Sequence, residues 1–177
     1  MIESCHWKED LLAHARRLEP VKKPQRLSEK AQVNFEKEVI ISFFMVRKLF
    51  ESHKVSNVSK NYKTTAFQYP SSGKKVTNLN FWDVDKLYDL ENGKEVKKSI
   101  AFICNQFIHG GATYAYRNED RNWGGILVCS DYERNDFLYR VPLVEIITIF
   151  RTVGNDYPSQ MSYELCQNKG DYMVITN

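Results

Sequence analysis

Cysteine is scarce in this 177-residue chain, and its four copies stand far apart, at Cys5, Cys104, Cys129 and Cys166. No CxxC pair occurs, and no Cys/His cluster has zinc-like spacing, so free thiols in a reducing compartment are the plain reading. Cys5-His6 with His14 comes nearest to a metal constellation and lacks that spacing. Long apolar runs are missing as well. The longest, Val39 to Leu49, is broken by Ser42, Arg47 and Lys48 and stays below the roughly 20 residues a bilayer span needs. The start of the chain carries Glu3, Lys8, Glu9 and Asp10 where a signal peptide would be apolar, so a cytosolic address with no membrane partner is expected. A net charge of +3 falls short of an obligate nucleic-acid binder. There is no Walker loop, GxGxxG, GxSxG or HExxH. Asp83, Asp85 and Asp89 lack the glycine and terminal glutamate of a calcium loop. Neither a metal nor a cofactor is expected.

What is present suffices for one packed domain, with 42% hydrophobic and 13% aromatic residues arguing against disorder. Trp7, Leu11, Leu12, Ala15 and Leu18 predict a helix over 7–18, with Ser4 as its cap and Glu19-Pro20 as its end. Ser28 caps a long second helix to about Ser52, whose stripe Phe35, Val39, Phe43, Val46 and Phe50 is core. Ile40, Ile41, Phe44 and Met45 fill its other faces, so its middle is expected to be buried nearly all round. Between these helices Lys22, Lys23 and Arg26, with Arg16, Arg17 and Lys30, form a basic patch able to meet nucleic acid. Residues 54–75 add Lys54, Lys60, Lys63, Lys74 and Lys75 interleaved with Tyr62, Phe67 and Tyr69, a pattern that suits single strands as well as a plain surface loop.

Further strands are expected at Thr64–Tyr69, Gly125–Cys129, Phe137–Val141 and Tyr172–Thr176, with an extended exit at Ala112–Tyr116. Short helical spacing recurs from Asp83 to Glu91. Pro142 suits a first helical position, and Leu143, Ile146, Ile147, Phe150 and Val153 form a helical stripe closed by Gly154, although β-branched residues make strand the competing reading of 144–150.

The stretch from Ser99 to Gly111 draws most attention. Val96, Ile100, Ile103 and Phe107 share a helical face, which predicts a helix over 94–109 ended by Gly110-Gly111 in a left-handed cap. Asn105 and His109 lie one above the other, roughly opposite that stripe, on a second face with Lys98 and Phe102. The same pair also suits ordinary capping chemistry at the helix end.

Cys104-Asn105-x-x-x-His109 resembles a degenerate copy of the motif of the HEPN superfamily, helical ribonucleases of prokaryotic toxin–antitoxin and antiviral defence systems. Asn105 and His109 match that motif, while Cys104 stands where its arginine belongs. The resemblance covers at most residues 1–116. It implies a pair of long antiparallel helices, 28–52 and 94–109, and a dimer that cleaves RNA without metal. Histidine can serve as acid or base near neutral pH, asparagine can orient it, and arginine would grip phosphate as a bidentate fork. Cysteine cannot supply that charge. Lys98 is about three turns from His109 along such a helix, and Arg117 could fold back to replace the arginine.

The expectation is therefore a single α+β domain, 1–177. Its N-terminal part, 1–116, would be mainly helical, built on long antiparallel helices. A β-leaning extension, 117–177, would carry a small antiparallel hairpin sheet and a further helix. The function implied by the resemblance is a HEPN-like binding protein lacking nuclease activity. It would engage a protein partner or RNA through Lys98, Phe102, Lys22, Lys23 and Arg26, and a second copy through the Asn105/His109 face. The alternatives are an active ribonuclease using His109, Asn105 and Arg117, and an unrelated protein-interaction module.

Overall fold

A computed structural model describes residues 3–19, 28–166 and 170–177. Four helices of nine residues or more form: α1 (Ser4–Leu18), α2 (Glu29–Glu51), α5 (Ile100–Ile108) and α6 (Leu143–Gly154). Two shorter ones are α3 (Asn57–Asn61) and α4 (Val84–Leu87). The strands are β1 (Lys63–Pro70), β2 (Lys94–Ser99), β3 (Gly110–Arg117), β4 (Trp123–Ser130) and β5 (Phe137–Pro142), followed by β6 (Met161–Cys166) and β7 (Asp171–Thr176). The first five make one antiparallel sheet in the order β2-β1-β5-β4-β3, and β6-β7 is a separate ribbon.

This overturns the expected helical half with a small hairpin sheet. The sheet has five strands, and three of them, β1, β2 and β3, fall within the region read as mainly helical. The expected antiparallel helix pair survives only as α2 against the nine-residue α5. Residues 94–99 are strand because β1 offers a complete row of partners, from Lys63 opposite Ser99 to Gln68 opposite Lys94. Ser99 then turns the chain, its Oγ accepting from the Phe102 N–H at 3.1 Å to cap α5.

Other local readings shift too. Glu3, whose side chain makes no capping bond, stands at the N-cap position assigned to Ser4, whereas Ser28 caps α2 as expected, accepting from Ala31 N–H at 3.2 Å. Pro142 is the N-cap of α6 and not its first residue, and residues 144–150 are helix. The segment 83–91 is helical only over α4. His109, at φ −102°, closes α5, and Gly110-Gly111 start β3 without a left-handed cap.

Alternation along the strands sorts the core. Ala66, Ile126, Val128, Tyr139 and Val141 join Leu11, Val39, Phe43, Ile103 and Phe150 of the helices in one buried cluster. Phe43 anchors it, stacked on Phe107 with centroids 3.9 Å apart and edge-on to Phe150 at 5.1 Å. The alternate residues Tyr69, Leu138, Cys129 and Ala112 pack on Val76, Leu87 and Tyr88 of the 71–93 segment, which covers part of the other face. The middle of α2 is not buried all round: Ile40, Ile41 and Phe44 are exposed, Phe44 by 60%. Among the described residues no helix is long and apolar enough to cross a membrane.

Candidate functional site

Asn105 lies on α5 and His109 caps its C-terminus, both exposed. Asn105 Oδ1 accepts from Arg47 Nη1 of α2 at 2.7 Å, and Arg47 Nε donates to Glu51 Oε1 at 2.7 Å. The Arg47 hydrogen bond holds the Glu51 carboxyl below its ordinary value. An arginine therefore stands beside Asn105, supplied by the neighbouring helix. Its trace in the sequence is the charge that interrupts the Val39–Leu49 run. Cys104 points inward, its Sγ 3.5 Å from the Phe43 carbonyl, and burial pushes its thiol up to about 12. His109 is held by its main chain, N–H to Asn105 O at 3.0 Å and C=O from Asp131 N–H at 2.9 Å.

The remaining candidates are dispersed. Arg117 ends β3, seven residues beyond Gly110, about 23 Å along an extended strand. Its Nε donates to the Arg121 carbonyl at 2.8 Å, so β3 carries it away from His109. Lys98 lies on β2, off the helix face expected for it, with Nζ 4.5 Å from the Phe102 ring centroid and 5.6 Å from that of Tyr139. Phe102 meets Tyr139 edge-on at 5.3 Å, so this pair is largely packing. Lys22, Lys23 and Arg26 lie outside the described residues. Among the described residues no group of three or more His, Cys, Asp or Glu could hold a metal ion.

A large concavity lies elsewhere, a cleft of about 920 Å³ between the β3–β4 turn and the outer side of α6. Arg140 of β5 forms part of it, on the sheet face away from the helices, opposite Phe67 and Leu127 in the ladder. Its guanidinium carbon is 4.2 Å from the Phe67 ring centroid, 5.8 Å from Tyr116 and 5.9 Å from Tyr69. Its Nε is buried without a hydrogen bond among the described residues. Burial raises the Tyr116 phenol while the Arg140 charge pulls it down. Trp123 lines the cleft and stacks on Phe35, centroids 4.5 Å apart. Gly125, at φ +144°, lets β4 pass under the start of α6; a Cβ there would sit 2.1 Å from the Val141 carbonyl. Arg117 and Arg151 add charge, Arg151 paired with Glu19 on the rim, and Glu119 and Asp120 add carboxylates.

Arg140 and Trp123 were not among the residues singled out from the sequence. The available signal was a lone arginine inside the apolar strand Phe137-Leu138-Tyr139-Arg140-Val141. Such a charge must face away from the helices or find a partner. Comparison with known proteins finds no matching family model, no matching curated protein and no matching solved structure.

Proposed function

We propose that this chain is a binding protein that holds a nucleotide unit of single-stranded RNA in the Arg140 cleft. The observation that carries the reading is the Arg140 guanidinium itself, seated against three rings with a buried Nε left without an acceptor. Ring faces fix the plane of the guanidinium and leave its N–H edge for a phosphate. Tyr116 and Trp123 offer aromatic surface for a base. Arginines and carboxylates are mixed along the wall, which suits a ligand with both an anionic phosphate and exocyclic amines better than a long polyanion. The volume lies within the range of about 300–1,000 Å³ usual for small-ligand sites. Titration of a short fluorescent single-stranded RNA should show saturable binding at low salt. Arg140→Gln should weaken it about tenfold or more, the loss expected for a charge-assisted phosphate bond. Absence of binding, or equal binding by Arg140→Gln, refutes the reading.

One observation favours a second reading, a HEPN-type metal-independent ribonuclease. Arg47 donates to Asn105 one helical turn from His109, beside the place where the motif's arginine is missing. There His109 would move protons, Asn105 would orient it and Arg47 would grip phosphate. Two copies would meet across the exposed Ile40, Ile41 and Phe44 of α2. RNA cleavage in chelator, lost in His109→Ala, is its test; an inert wild-type protein at high concentration removes it.

A further inference from the structure

A second concavity, about 240 Å³, opens where the start of α1 meets the residues after α2 and α6, and it uses none of the residues of the Arg140 cleft. Lys8 of α1 lines it, and its side chain is fully buried, at 0% exposure. Its Nζ donates to the Asp156 main-chain carbonyl and lies 3.9 Å from the Tyr157 ring centroid. An ammonium has three N–H donors, and these two partners leave at least one over. The Asp156 carboxylate attracts the ammonium at longer range, while its Oδ2 accepts from the Ser56 N–H at 2.9 Å and Oγ at 2.7 Å. Lys54 lines the same pocket and its charge works against that of Lys8.

His53 completes the wall. It occupies the left-handed position after α2, at φ +55°, where Lys54 N–H bonds Leu49 O at 3.0 Å and His53 N–H bonds Phe50 O at 3.2 Å. Glycine normally fills that place at no steric cost. Among the described residues the buried His53 imidazole Nδ1 has no hydrogen-bond partner. Ser4 brings the first turn of α1, whose N-cap side chain makes no capping bond, to the rim. Among the described residues no acidic one lines the pocket.

Two lysines facing one small space, with surplus donors and the Asp156 carboxylate engaged by Ser56, describe a cage that an anion would complete. We propose that this pocket binds a phosphate group, with Lys8 Nζ, Lys54 and His53 as its donors. The volume lies under the roughly 300 Å³ where ordinary ligand sites begin, so only the phosphate itself enters, free or at the end of a longer molecule.

Isothermal titration of the full chain with inorganic phosphate, at constant ionic strength against chloride, tests this. Saturable 1:1 binding is expected, with a matching rise in melting temperature. Lys54→Gln should weaken it at least about tenfold. Lys8→Met, which removes the buried charge, should still melt cooperatively and lose the phosphate response. A His53→Gly variant, relieved of its backbone strain, should fold and bind more weakly. Competition separates the two sources of phosphate. Displacement by 5′-phosphorylated but not 5′-hydroxyl RNA assigns the site to a chain terminus, and displacement by neither assigns it to the free ion. No binding beyond that of chloride, or an unchanged phosphate response in Lys8→Met, overturns the proposal.

Discussion

Single residues here are decided by what surrounds them more than by their type. Cys104 sits beside Asn105 in the sequence, yet it is buried against Phe43 with its thiol pushed up to about 12, while Cys5 and Cys166 are only half-buried. Native protein at pH 8 should therefore alkylate at Cys5 and Cys166 and not at Cys104 until it unfolds, a pattern that mass mapping after iodoacetamide reads directly. Lys8 is the converse case. Burial depresses its ammonium below the ordinary lysine value of 10.5, Asp156 opposing and Lys54 adding to the effect. Between the depressed folded value and 10.5 the unfolded chain holds more protons, so stability in phosphate-free buffer should climb with pH through that window. Lys60, lowered chiefly by burial, contributes in the same direction. Lys8→Met should flatten the rise seen in urea titrations as pH approaches 10.5. It should also stabilise the protein by about 1 kcal/mol or more at pH 7, since a buried charge whose contacts are a carbonyl and a ring is removed. Equal slopes in the two proteins would refute this account.

Elements follow their partners where periodicity is ambiguous. Val96, Ile100, Ile103 and Phe107 fall at helical spacing, but Lys94–Ser99 pairs along the whole of β1 and becomes an edge strand. Its exposed Lys94 and Lys97 suit an edge that must not recruit another chain. The same apolar spacing is helical only after Ser99, where a cap starts the helix. Ser99→Ala should cost about 1 kcal/mol in chemical denaturation. Gly125→Ala should cost more than about 3 kcal/mol, because its φ is +144° and the new Cβ would press on backbone atoms of the β5–α6 junction that cannot yield. A smaller loss at Gly125 than at Ser99 would show that the junction relaxes.

At the scale of the molecule, one sheet serves two purposes. Its helix-side face builds the main core, and its other face is half covered by the 71–93 segment, leaving Phe67, Tyr116 and Arg140 partly open. Phe43 joins α2 to α5 and α6, so Phe43→Ala should cost about 3–5 kcal/mol of global stability in denaturant titration and lower the midpoint for every probe together. Phe44, its neighbour in sequence, faces solvent; Phe44→Asp should leave stability within about 0.5 kcal/mol. If two copies meet on α2, it should also halve the mass seen by light scattering.

Local chemistry was legible in the residues. Ser28 announced the start of α2, the stripe Leu143, Ile146, Ile147, Phe150 and Val153 announced α6, alternation with β-branched residues announced β1, and a short apolar run with its returning partner announced β4 and β5. These signals act over a few residues, and a chain carries them unaided. The sheet order, the strand identity of 94–99, the exposure of Ile40 and Phe44, and the meetings of Arg47 with Asn105 and of Arg140 with Phe67 and Tyr116 were decided only on folding. Each depends on hydrogen bonds or ring contacts between segments far apart in the chain, and no local spacing encodes which distant segment will supply them.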